Sequence, residues 1–145
     1  SAARVVRLFG FDPKVAFVSH STFGQPITNR TKHIKDAVEI LKNKNVNFEF
    51  DGDMQPDVAL SEEYKSLYPF SKIVGNANIL IMPGQHSAAI SYKMMKTLGD
   101  TKVIGPLLIG LGLPIEIAPL RSSTSEILNL ASIAAYSADV IDYTK

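Results

Sequence analysis

Lys14-Val15-Ala16-Phe17-Val18-Ser19 is a short apolar run between Pro13 and a polar loop. Apolar residues at consecutive positions, rather than at every second one, fit a strand buried on both faces. Val46 to Phe50 reads as the next strand, and Ile79 to Met82 as another, ended by Pro83-Gly84. Segments of helical period lie among them. Thr28 to Leu41 carries Ile34, Val38 and Leu41 at that spacing. Ser61 is the expected N-cap of a helix through Tyr68, with Glu62 and Glu63 in its first turn. Ser87 to Leu98 reads as a helix closed by Gly99, and a last helix runs from about Thr124 to Val140. On that helix Ile127, Leu130, Ala131, Ala134, Ala138 and Ile141 form one stripe, which belongs either to the core, the preferred reading, or to a dimer interface.

Strands alternating with helices predict an α/β fold of three layers, a mainly parallel sheet with helices on both faces. Ligands of such sheets lie beyond the carboxyl ends of the strands. The loops starting at Ser19, Asp51, Pro83 and Pro119 are therefore expected on one rim. Val103 to Ile109 and Pro114 to Ile117 add two apolar runs separated by glycines. Arg4 to Phe9 reads as the end of a helix, so the chain is expected to be a fragment with an abrupt start.

A length of 145 residues suits a single domain over 1–145, and 46% hydrophobic residues suffice for a core. The net charge of +1 supplies no bulk attraction to nucleic acid. Without cysteine, disulfides, thiolate zinc sites and thiol catalysis are excluded. No apolar run reaches membrane-spanning length and no signal peptide is visible, so no membrane partner and a cytoplasmic protein are expected.

Asp51-Gly52-Asp53-Met54-Gln55-Pro56-Asp57 packs three carboxylates into seven residues. Asp51, Asp53, Gln55 and Glu62 match positions 1, 3, 5 and 12 of a calcium loop. Pro56 stands where that loop needs a glycine, and proline's fixed φ removes the match. Two readings remain: a magnesium site shared with a bound phosphate, or a strand-to-helix turn whose acids are solvated near a helix N-terminus.

Ser19-His20-Ser21-Thr22-Phe23-Gly24 has the small hydroxylated residues and glycine that an anion-binding turn requires. Arg30, Lys32 and Lys35 follow early in a helix, where the macrodipole disfavours cations unless something negative lies nearby. The alternative is i,i+4 pairing of Lys32 with Asp36 and Lys35 with Glu39. His86, at the start of a helix beside Ser87, is either a base or ligand contact or a structural histidine. His20 and His33 are too scattered to argue a metal cluster, and a trio of Ser21, His86 and Asp53 has little weight without geometry. The string from Gly105 to Pro114 is not the spaced dinucleotide pattern.

Four segments together resemble the phosphate acetyltransferase and phosphate butyryltransferase family: FVSHSTFG (17–24), DGDMQPDVAL (51–60), ILIMPGQHSAAISYKMMKTLG (79–99) and IGPLLIGLGLP (104–114). The resemblance covers nearly the whole chain and implies the C-terminal half of a phosphotransacetylase or isocitrate dehydrogenase-like domain. Asp53 and Met54 replace the glutamate and leucine of the family's D-G-E-L-Q-x-D signature. Acyl transfer between acyl phosphate and coenzyme A, as the resemblance implies it, uses a Ser-Arg pair after the glycine-proline string and an aspartate some six residues later. Counted from Pro114, those positions hold Pro119, Leu120 and Glu126, so no catalytic residue is assigned. Ser123-x-x-Glu126 instead reads as a capping box opening the last helix.

The same family domain occurs at the C-terminus of bacterial NADP-dependent malic enzymes, and RLFGFDPKVAFVSHSTFG, HSAAISYKMM and VIGPLLIGLGLPIEIAPL resemble that branch. This implies a non-catalytic regulatory and oligomerisation domain sensing acetyl-CoA, joined to an upstream malic-enzyme domain and forming a homodimer or higher homo-oligomer. Ser19, Ser21, Thr22, Gly24, Arg30 and Lys32 would meet phosphates of that effector. Asp51, Asp53, Gln55, His86 and Ser87 would shape the rim, and Arg121 is the leftover cation. NADP and a divalent metal (Mg or Mn) would belong to the upstream domain, with no cofactor and no metal site in these residues. Active phosphate acetyl- or butyryltransfer is the alternative.

Overall fold

A computed structural model describes residues 1–100 and 102–140. They form two compact units, one of Ala3–Lys93 and one of Ser1–Ala2 with the residues from Met94 onward. The first unit is built on three parallel strands in the order β2-β1-β3, with β1 Lys14–Val18 in the centre, β2 Glu49–Met54 and β3 Ile79–Ile81. A central strand flanked on both sides has no solvated edge, which is why β1 is almost continuously apolar. The helices are α1 Ala2–Leu8, α2 Asn29–Lys42, α3 Pro56–Leu60, α4 Glu62–Lys65 and α5 Gln85–Leu98, with α6 Thr124–Val140 in the second unit. The expected α/β fold with a parallel sheet is the one observed. Ala16, Val18, Met54, Val58, Ala59, Ile73 and Ala77 make its core. No helix among the described residues is long and apolar enough to cross a membrane.

Three expectations are corrected. The second strand is Glu49–Met54, not 46–50, so Asp51 and Asp53 stand inside the sheet and are buried at 7% and 0% exposure rather than solvated in a turn. Pairing explains the shift: β2 follows β1 in register from Lys14↔Glu49 to Phe17↔Gly52, then Val18 meets Met54. Asp53 is thus the extra residue of a β-bulge. The helix expected from Ser61 to Tyr68 is shortened to the single-turn α4, Glu62–Lys65, behind a separate α3 that was not expected, and the Ser61 side chain makes no capping bond. Pro56 opens α3 at its first turn, where its missing N–H is unneeded. Third, neither apolar run between 103 and 117 forms a strand, so no rim loop follows one at Pro119. Gly105 and Gly110 take φ of 121° and 90°, which turn the chain out of an extended line.

Thr28 caps α2 through a reciprocal box: Thr31 N donates to Thr28 Oγ1 at 3.2 Å, and Thr28 N donates to Thr31 Oγ1 at 2.9 Å. Thr28→Ala is expected to lower stability by about 1 kcal/mol, measurable by urea unfolding; an unchanged midpoint would show that the cap contributes nothing. On α6 the apolar stripe, expected in the core or at a dimer interface, is mostly not buried within its own unit. Within its unit only Leu130 and Ser137 are buried on that helix, while Ile127, Leu128, Tyr136 and Val140 are exposed, and Ile141 lies outside the described residues.

Candidate functional site

The loop leaving β1 is fastened to β2 at several points. Ser19 N donates to Met54 O at 2.9 Å, Phe23 N to Asp53 O at 2.6 Å, and Gln55 N to Thr22 Oγ1 at 3.2 Å. Gln55 Nε2 donates to His20 O at 2.9 Å. Thr22 and Gln25 exchange two backbone hydrogen bonds, closing a turn in which Phe23 (φ 49°) and Gly24 (φ 85°) are both left-handed. Phenylalanine rarely adopts that conformation. Its ring is packed against Tyr68 and Phe70, with centroids 5.5 and 4.7 Å away.

These fastenings turn the loop hydroxyls inward. Ser21 is fully buried and its Oγ donates to Asp53 Oδ2, while Ser19 Oγ and Ser21 Oγ lie 3.2 Å apart. Ser21 and Thr22 therefore hold the loop to the sheet rather than presenting hydroxyls outward. Asp51 is structural too: its Oδ1 accepts from Gly52 N at 2.9 Å and its Oδ2 from Lys72 N at 2.8 Å, anchoring the segment before β3. A side chain at Gly24 would begin 3.0 Å from Lys35 Nζ, so the glycine leaves room for that ammonium over the turn. The alternative pairing of Lys35 with Glu39 is not adopted, since Glu39 is engaged by Lys42.

Beyond the carboxyl ends of β1 and β3, an open groove of about 730 Å³ lies between those strands, α2 and the start of α5. Phe17, Val18, Ile34, Ala37, Ile81 and Met82 supply its apolar wall. Ser19, His20, Arg30, His33, His86 and Ser87 supply its polar groups. Of the residues expected at the site, the groove gathers Ser19, Arg30, His86 and Ser87. It does not gather Lys32, which is exposed elsewhere on α2, or Gln55. Arg121 is exposed in the other unit. Sequence reading had set aside His20 and His33, yet a signal existed. His20 directly follows the Ser19 that ends the first strand run, and Arg30, His33, Ile34 and Ala37 are spaced i, i+3, i+4 and i+7 on one helix face.

In the second unit, Glu126 opens α6 as the capping box predicts. Its Oε2 accepts from Ser123 N at 2.8 Å and Ser123 Oγ at 3.1 Å, and its Oε1 from Lys96 Nζ at 2.6 Å. The Lys96 ammonium, then the Ser123 donors, hold its carboxyl down at about 2, from an ordinary 4.5. A depressed folded-state value means that the cap's contribution is fully present above about 4.5 and is lost as pH falls toward about 2. Following the Glu126 carboxyl carbon by NMR through acid titration is expected to place its midpoint near 2; a midpoint near 4.5 would show that these contacts do not persist in solution.

Residues 1–135 match the family described as phosphate acetyl/butaryl transferase, and the chain belongs to it. An NADP-dependent malic enzyme of Rhizobium meliloti (strain 1021) is 46% identical over 137 residues, 94% of this chain and 18% of that enzyme. A phosphate acetyltransferase of Bacillus subtilis (strain 168) is 33% identical over 92% of this chain and 42% of its own length. Among solved structures, a phosphotransacetylase from Streptococcus pyogenes superposes with a TM-score of 0.87 at 34% identity, covering 94% of this chain and 42% of that one. The chain thus spans less than a fifth of the malic enzyme, and under half of either transferase.

Proposed function

We propose that this chain is the phosphotransacetylase-like domain of an NADP-dependent malic enzyme, and that it binds acetyl-CoA without transferring the acyl group. In this reading it regulates oxidative decarboxylation of malate to pyruvate by another domain of the same protein, where NADP and a divalent metal act. The observation that carries the non-catalytic part is Glu126, at the position where the family resemblance calls for the base that deprotonates the thiol. Both its oxygens are engaged and its carboxyl is held at about 2. A base so far below a thiol of pKa about 8.5 draws its proton poorly. Pro119 and Leu120 stand at the Ser-Arg pair; one has no hydroxyl and the other cannot hold a phosphate.

Binding is supported by the groove, whose apolar wall and Arg30 suit a ligand with both an extended arm and phosphates. Assembly into a homo-oligomer is part of the same reading, and α6 offers it the exposed apolar side chains Ile127, Leu128, Tyr136 and Val140. Active acyl transfer is the second reading, favoured by the similarity to phosphate acetyltransferases. The complete protein separates them. Calorimetric binding of acetyl-CoA and a change in malate-dependent NADPH formation, with no phosphate-dependent loss of the thioester absorbance, is the expected result. Phosphate-dependent thioester loss would establish the second reading, and absence of binding would remove the first.

A further inference from the structure

The chain has three histidines, at 20, 33 and 86, and all three line the groove. They come from three different elements: the loop after β1, α2, and the second residue of α5. Arg30, from the first turn of α2, is the one permanently charged group of the lining among the described residues. β3 contributes only Ile81, and neither the Pro83-Gly84 turn nor Pro56 adds a titratable group. Among the described residues no aspartate or glutamate is in the lining; the nearest acid on α2 is Asp36, one turn beyond His33 and outside it. Among the described residues no three His, Asp or Glu side chains are grouped to hold an ion.

Imidazole is the side chain whose charge changes between about pH 5 and 8. Three imidazoles and Arg30 in one lining, which holds no acid among the described residues, make the groove's charge a function of pH. We infer that His20, His33 and His86 make this groove a proton-linked anion site, where a phosphate-bearing ligand binds more tightly as pH falls through the range in which imidazoles titrate. This rests on the reading of the groove as the acetyl-CoA site. Protons taken up by the imidazoles on binding strengthen the complex, and the same linkage makes bound anion favour the protonated groove. The ligand's own titration works in the opposite direction: a phosphomonoester loses negative charge below its second pKa of about 6. Tighter binding in mild acid therefore reports the protein.

The test is calorimetric titration of the complete protein with acetyl-CoA at pH 8.0 and 6.0, at constant ionic strength, with the single His→Gln variants and the triple variant. Affinity is expected to rise by roughly tenfold from the higher to the lower pH, the change when binding favours the protonated imidazoles by about one pKa unit in sum. Each single variant is expected to reduce that ratio, and the triple variant to abolish it. Wild-type affinity that does not rise in mild acid would overturn the proton link while leaving the acetyl-CoA reading intact. A rise that survives in the variants would overturn its assignment to these histidines. No binding at either pH would overturn both. If the triple variant fails to fold, the three singles carry the decision.

Discussion

Replacing Gly52 by alanine is expected to lower the unfolding free energy by about 3 kcal/mol, the upper part of the usual overpacking range. A Cβ at this position would sit 2.7 Å from both the Cβ and the carbonyl oxygen of Phe17, on the neighbouring central strand. Neither atom is the movable end of a flexible side chain, so β1 and β2 would have to separate. The φ of 154° at Gly52 is also one that residues with a Cβ rarely adopt. Because Gly52 directly precedes the bulge residue Asp53, separation there would also loosen the loop carrying Ser19 and His20. Gly112→Ala is the matched control, since a Cβ there meets nothing within 4 Å. Urea unfolding of the two variants measures the contrast; equal effects would show that the close approach of Gly52 to Phe17 is not maintained.

Ser21→Ala is expected to destabilise the chain by about 2–3 kcal/mol, more than a neutral hydrogen bond is worth, because of what it leaves behind. Asp53 is fully buried; Ser21 serves its Oδ2, and its Oδ1 has no hydrogen-bond partner among the described residues. Removing the hydroxyl strands the whole buried carboxyl, which carries the desolvation penalty rather than only the loss of a bond. Truncating both partners together should relieve part of that cost. The Ser21→Ala/Asp53→Ala double variant is therefore expected to be more stable than the sum of the two single effects by about 1 kcal/mol or more. Strict additivity would mean that the two side chains do not interact as described.

Much of the scaffold was legible because it depends on local chemistry. The first strand was expected at 14–19 and is Lys14–Val18; α2 was expected at 28–41 and is Asn29–Lys42. The bounds of α6 and its Ser123–Glu126 box were read directly, since a cap is made by residues three apart. The motifs around Phe17–Gly24, Asp51–Leu60 and Ile79–Gly99 pointed to the family that the comparisons establish. The acidic segment was not legible. Asp51-Gly52-Asp53 has turn-like composition, and only pairing with Lys14–Phe17 makes it strand.

The candidate site divides in the same way. Composition placed hydroxyls, glycine and cations in the loops that follow strands, and the rule for parallel sheets placed those loops at one end of the sheet. Which way each side chain faces was decided by tertiary contacts. Ser21 and Thr22 were read as ligand hydroxyls and are engaged by Asp53 and Gln55, residues more than thirty positions away. His20 and His33, which sequence spacing gives no reason to group with His86, share a groove with it. The sequence by itself determined which chemical groups the chain carries and where local periodicity makes helix or strand. The parallel order β2-β1-β3 decided which of those groups meet, because it brings together segments far apart in the chain, and no local pattern encodes their pairing.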